Sequence, residues 1–319
     1  MNNKEIFEKI NSISIPSENY LVIQIEPSNC FFGKDSDGNI IFMMSSSSPQ
    51  IPSIHQETKS LKFVFNKKCI LHFGESKKTE VMHVLTCKDK EPEKIRAFIR
   101  LTKSFSFSDT GLDQYYLAKL FSSISALFDK KRQVSEIETQ GLFAELYAIL
   151  FLRNTGCDIA KYWQSRNKMK FDFSIDSKRR IEIKSTLKTE RIHHFRHDQL
   201  LSELYDIRII SIMLRKNDCG VSLGEIVEHM RDIYANNFTL MLHIEKTVSQ
   251  IDEDYLYGLK YDEPYLKSNI KFFDAKCIPH FNEKSPEGVF NAEYDCHLDS
   301  AEDLTLDELI DWIKVNENV

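Results

Sequence analysis

At 319 residues the chain has room for one large domain or two ordinary ones, and its 42% hydrophobic content, with 22 Phe and 12 Tyr, excludes a disordered polymer. Seven cysteines (Cys30, Cys69, Cys87, Cys157, Cys219, Cys277, Cys296) stand singly, with no CxxC and no Cys/His spacing, which excludes a zinc ribbon and points to a reducing compartment. The net charge of −6 speaks against a nucleic-acid partner until its distribution is read: residues 161–196 hold eleven Lys/Arg against four Asp/Glu, a net of +7, leaving −13 for the rest.

The N-terminus, MNNKEIFEKINSISIPSENY, has no apolar signal-peptide core, and no run approaches the roughly 18 apolar residues of a membrane span. A cytoplasmic protein without a membrane partner is expected. From residue 20 to about 101 the runs LVIQIEP, NIIFMM, LKFVFN, CILHFG and VMHVLTC are rich in β-branched and aromatic residues, with breaks such as Asp37-Gly38-Asn39 between them. This predicts a β-rich N-terminal domain over 1–105, with SSSSPQIPS as a polar loop. The period then becomes helical. Leu112, Tyr116, Leu120, Ile124 and Leu127 share one face, with Asp109 or Thr110 as cap. A second helix is predicted from about 136 to 153, on the apolar line Ile137, Gly141, Ala144, Ala148, Leu152, with Gly156 just beyond as a stop.

KFDFSID and RRIEIKST alternate with period two around the turn Asp176-Ser177-Lys178, a β-hairpin signature. HDQLLSELYD predicts a helix and RIISIMLR a strand inside a sheet. Ser222-Leu-Gly-Glu225 is a capping box opening a helix to about Tyr234. KFFDAKCI and GVFNAEYDCHL read as strands, and LTLDELIDWIK as an acidic amphipathic helix. A second domain over 106–319 is expected.

On the hairpin, Asp172 faces away from Phe171, Phe173 and Ile175, while Glu182 and Lys184 face away from Ile181 and Ile183. Two carboxylates about 4 Å apart repel by roughly 4 kcal/mol at an effective dielectric near 20, unless a cation lies between them or one is protonated. Oxygen ligands suit Mg²⁺ or Mn²⁺. Lys184 would then offset charge growing on a phosphate. An acid before [DE]xK is a weak string, since Glu75-Ser-Lys77, Asp129-Lys-Lys131 and Asp176-Ser-Lys178 also match it. Only Glu182-Ile-Lys184 sits in an alternating strand with a second acid-bearing strand upstream. Glu145 falls on the apolar line of the second helix, either at its edge beside an arginine or as a further member of the site.

A helix with Glu145, a strand with Asp172, a strand with Glu182 and Lys184, then a helix and another strand, resembles the PD-(D/E)XK nuclease superfamily typified by restriction endonucleases. GLFAELYAILFL, FDFSID, RIEIKST, HDQLL and SLGEIVEHMRDIY are similar to a bacterial PD-(D/E)XK motif family whose genes accompany restriction-modification and phage-defence genes. The resemblance implies an α/β (α+β) fold, a restriction-endonuclease-like core of mixed sheet flanked by helices. It further implies metal-dependent DNA cleavage by an endonuclease in restriction or phage defence, with Mg²⁺ (or Mn²⁺) held by Asp172, Glu182 and Glu145. Lys184 would be catalytic, and Gln199 would touch the site or the phosphate backbone. Phe171 stands where the motif's name has Pro, and Tyr205 lies six residues after Gln199 rather than the four of exonuclease relatives. Lys168, Lys170, Lys188, Arg191 and Arg196 flank the motif, as phosphate contacts or as ordinary surface charges. His193, His194 and His197 have no role in that mechanism. The expected partners are DNA and, for double-strand cutting, a second copy or other proteins of a defence system. The competing function is a nucleic-acid-binding or assembly subunit that keeps the fold without cutting.

Overall fold

The alternating runs of the N-terminal region build strands whose two faces feed two separate cores. The computed structural model describes residues 1–27, 29–46, 53–108, 114–128, 134–163, 171–201, 205–281, 286–289 and 291–315. The chain divides into two units, Met1–Arg132 with Arg231–Gln250, and Gln133–Met230 with Ile251–Val319. Among the described residues, no helix is long and apolar enough to cross a membrane.

The first unit holds α1 (Asn3–Ser12), β1 (Tyr20–Ile25), β2 (Cys30–Asp35), β3 (Ile40–Ser45), β4 (Ile54–Glu57), β5 (Leu61–Phe73), β6 (Ser76–Cys87), α2 (Pro92–Ser106) and α3 (Gln114–Phe128), joined by the later helix Phe238–Val248. The sheet runs β1-β2-β3-β6-β5-β4, and β1 also pairs in parallel with β5 at Tyr20↔Leu71 and Leu21↔His72, so the sheet closes on itself. One face packs Val22, Phe31, Ile41, Met43, Cys69, Leu71, Met82 and Val84 together. The other supplies Phe32, Phe42, Met44, Phe63 and Leu85 to a larger core with the helices. A Cβ at Gly33 would stand 2.1 Å from the Leu21 carbonyl oxygen, so only glycine lets β2 cross β1 this closely.

Three features differ from the sequence expectation. LKFVFN and CILHFG form one strand, β5, whose register shifts between Val64 and Lys67, where Asn66 adopts φ 52°. Residues 92–106 are a helix: Pro92 starts it, and Ala97, Phe98, Leu101 and Phe105 recur at helical spacing toward the core. The division expected at 105/106 also differs from the observed grouping. Leu117, Leu120, Phe121, Ile124 and Leu127 of α3, with Met241 of the later helix, share the N-terminal core. Leu112, Asp109, Thr110 and most of the serine-rich loop lie outside the described residues.

The second unit comprises α4 (Glu136–Asn154), β7 (Phe173–Ser174), β8 (Arg179–Thr186), β9 (Ile192–Arg196), the single turn α5 (His197–Leu200), β10 (Asp206–Met213), β11 (Lys216–Ser222) and α6 (Leu223–Ile233) as far as Met230, its last residues from Arg231 being counted with the first unit. After α7 (Phe238–Val248, the helix of the first unit) follow α8 (Glu253–Gly258), β12 (Lys260–Tyr261), α9 (Glu263–Ser268), β13 (Ile270–Asp274), β14 (Glu293–His297) and α10 (Leu306–Lys314). The capping box expected at Ser222 forms its reciprocal bonds with Glu225, and Ser135 and Thr305 form two more with Glu138 and Glu308. Gly156, at φ 84°, follows α4. Ala144, Ala148 and Leu152 of α4 are buried as expected, but Ile137 is 82% exposed in its first turn.

The sheet runs β13-β10-β8-β7, with β8 and β10 parallel and the two outer pairings antiparallel. This is an α+β arrangement. RIISIM lies between two strands and is buried through Met213, as its unbroken apolar run requires. α4 packs on β8, and β9 pairs with β14 in a separate two-stranded ribbon.

Candidate active site

The hairpin begins with its turn. Asp176 Oδ1 accepts the backbone N–H groups of Lys178 and Arg179, each at 2.8 Å, a local closure that Asp favours. It sets the register Phe173↔Ile181 and Ser174↔Arg180, which brings Asp172, just before β7, beside the Glu182–Ile183 stretch of β8. Asp172 Oδ2 accepts the Ile183 N–H at 2.7 Å.

Glu182 is 5% exposed. Its Oε1 faces Lys184 Nζ at 2.9 Å and accepts the Gln199 Nε2–H at 2.7 Å. Gln199 Oε1 in turn accepts from Lys184 Nζ at 3.2 Å and from the Arg196 backbone N–H at 3.1 Å, so one amide holds both the acid and the lysine. The Lys184 ammonium lies 5.0 Å from the centre of the Phe195 ring. The second oxygen, Glu182 Oε2, is buried and accepts no well-formed hydrogen bond from any described residue, the Asp172 backbone N–H adding only a weaker attraction.

Glu145, on α4, accepts the Trp163 indole N–H at 2.7 Å through Oε2. Burial pushes its carboxyl up to about 7, the Glu182 charge adds to the rise, and the indole bond opposes it. Asp172 is raised well above the usual carboxylate range by burial and by the charges of Glu182 and Glu145, against the Ile183 N–H and Lys184. Burial raises Glu182 as well, with Lys184 and Gln199 opposing. Three acids therefore repel one another in an enclosed space holding one ammonium.

An acid opposite Glu-x-Lys on a hairpin beside a parallel strand, with a helix carrying a further acid, is the arrangement named for its motif. A family model described as "Putative PD-(D/E)XK family member, (DUF4420)" matches residues 3–299. The chain belongs to this family. No curated protein and no solved structure matches it.

In this PD-(D/E)XK chain, no group of three or more His, Cys, Asp or Glu side chains among the described residues is arranged to hold a metal ion. Asp172, Glu182 and Glu145, expected to share an ion, act on one another through charge. The donor set nevertheless suits a hard divalent cation, being oxygen only, mutually repelling, and left with an unmet buried acceptor in Glu182 Oε2.

The basic residues divide. Lys168 and Lys170 lie outside the described residues. Arg191 departs from the phosphate-facing expectation: it is 2% exposed, and its guanidinium donates to Ser211 O (2.9 Å), Ser211 Oγ (2.6 Å) and Asn269 O (2.8 Å), a cross-link within the unit. Lys188 and Arg196 are exposed. His193 is buried with Nε2 2.6 Å from Ser211 Oγ, His197 is buried with Nδ1 3.2 Å from Tyr294 Oη, and His194 is exposed.

Two residues escaped the sequence reading. Trp163 orients Glu145, and Gln140, on α4, donates to Ser185 Oγ at 3.1 Å one residue beyond Lys184. A tryptophan shortly before the Asp172 strand, in a chain with only two, was the available signal for the first. Gln140 carried none, because its partner lies 45 residues away.

Proposed function

We propose that this unit hydrolyses phosphodiester bonds in DNA as an Mg²⁺- or Mn²⁺-dependent endonuclease. The supporting observation is the state of Glu182: one oxygen pinned by Lys184 and Gln199, the other buried without a full partner beside Asp172. Asp172 and Glu182 would hold the ion, with Glu145 next to them. The ion would supply Lewis acidity and neutralise the clustered carboxylates. Lys184, fixed on one side by Glu182 and Gln199, directs its ammonium charge to offset negative charge building on the phosphate oxygens. Glu145, with its carboxyl near 7, is able to hold or release a proton at neutral pH.

The setting in a cytoplasmic restriction or phage-defence system, with a second copy or partner proteins, rests on the family resemblance and on the geometry of cutting two strands. The competing reading is a non-cutting binding or assembly subunit that keeps the fold. Plasmid cleavage with Mg²⁺ or Mn²⁺ decides between them. The wild type should nick or linearise the plasmid, while Asp172→Ala and Lys184→Ala should not. Equal cutting by the variants would sink the site, and no cutting of any DNA or RNA by the wild type would favour the binding subunit.

A further inference from the structure

Beyond Lys184 the end of β8 opens into a groove of about 440 Å³ whose lining includes Gln140, Ser185, Lys188, His193, His194 and Asp295. Along one side runs the ribbon of β9 and β14, where Arg196 lies opposite Glu293 and His194 opposite Asp295. Each outward basic residue of β9 meets an acid. His194 Nδ1 is 3.0 Å from Asp295 and its Nε2 3.2 Å from Glu293; Arg196 Nε is 3.9 Å from Glu293 and 4.0 Å from Asp198; Lys188 Nζ is 3.9 Å from Asp295. The local excess of positive charge is thus met by acids about a hundred residues further along the chain. These pairs are open to water, where ion pairs contribute little and exchange readily. Glu293 and Asp295 point to the same face of a strand, about 6.6 Å apart from its rise, as a short row of fixed anions.

We propose that Glu293 and Asp295 stand in for two backbone phosphates, and that a nucleic-acid strand entering the groove displaces them from Lys188, His194 and Arg196. This rests on the reading that the unit binds nucleic acid. The acidic strand then acts as a built-in competitor: contacts outside the ribbon must supply enough attraction to lift the basic residues off their acids.

The test uses the whole 319-residue chain carrying Asp172→Asn, so that substrate is bound without being cut, and a short fluorescent DNA duplex followed by anisotropy. Adding Glu293→Gln and Asp295→Asn together should tighten binding by about tenfold, since the competing pairs are gone. Lys188→Ala and Arg196→Ala should each weaken binding and reduce the slope of log affinity against log salt by roughly one. Glu253→Gln with Asp254→Asn, two exposed acids of α8, makes the same change in net charge elsewhere and should leave affinity nearly unchanged. Unaltered binding on neutralising β14, or equal tightening by the α8 control, would overturn the proposal while leaving nucleic-acid binding intact. If no variant binds the duplex, the reading of the unit as a DNA-binding nuclease itself fails. If only the protein with β14 neutralised binds, the competition is supported in its strongest form.

Discussion

Gln199 Nε2 donates to Glu182 Oε1 at 2.7 Å, joining a one-turn helix to the strand that carries the motif. The same amide accepts from Lys184, so the acid and the ammonium are held by one side chain rather than only by each other. Gln199→Ala should therefore lower kcat for plasmid cleavage by roughly 10- to 100-fold, the usual cost of removing a group that orients a ligand, with DNA affinity nearly unchanged. An equal loss in affinity and rate would show that Gln199 contacts DNA directly.

The three acids predict a response to divalent cations independent of catalysis. Mg²⁺ or Mn²⁺ at about a hundred times its Kd should stabilise the chain by roughly 2.7 kcal/mol, seen as a rise in Tm. Glu182→Gln should abolish the rise and, by removing one of the repelling charges, increase the Tm measured without metal. A metal-induced shift of the same size in Glu182→Gln would locate the ion elsewhere.

In the first unit, Glu245 is bonded by both Arg100 (2.6 and 2.9 Å) and Arg231 (2.9 and 3.1 Å), all three buried. Burial alone would raise its carboxyl, yet the two guanidiniums outweigh that and hold it at about 2. Glu245→Ala leaves two buried cations without this anion and should cost roughly 3–5 kcal/mol in urea unfolding. A cost below about 1 kcal/mol would mean that the arginines relax to water.

Burial lowers His83 and His243, in the same unit, to about 4 from an ordinary value of 6.5. Their folded forms bind protons more weakly than their unfolded forms do, so stability is full above about 6.5 and declines as pH falls from there toward 4. The raised carboxyls of Glu145, Asp172 and Glu182 shift stability the other way over the same range, so the check is a comparison: between about pH 7.5 and about 4.5 the wild type should lose stability relative to His243→Gln. A difference between the two proteins that does not change with pH would show that the His243 ring is charged in the folded state.

Glu182-Ile-Lys184 and Asp172 were legible in the sequence because period-two alternation decides which side of a strand a residue takes, and one turn fixes a hairpin's register. The capping box at Ser222 was legible because it is complete within four residues, and the structure adds two of the same kind at Ser135 and Thr305. The helix at 92–106 was missed because its apolar residues followed a run of strands and were read with their neighbours.

Local sequence thus determined the order of residues around the motif and the density of positive charge near it. Tertiary structure decided what that charge does, since Arg191 is turned inward to Ser211 and Asn269 while Lys188, His194 and Arg196 meet Glu293 and Asp295. It also decided that Trp163 orients Glu145 and that Gln199 holds Glu182. Pattern and spacing act over a few residues, whereas burial and ion pairing depend on which distant segments the folded chain brings within a few ångströms.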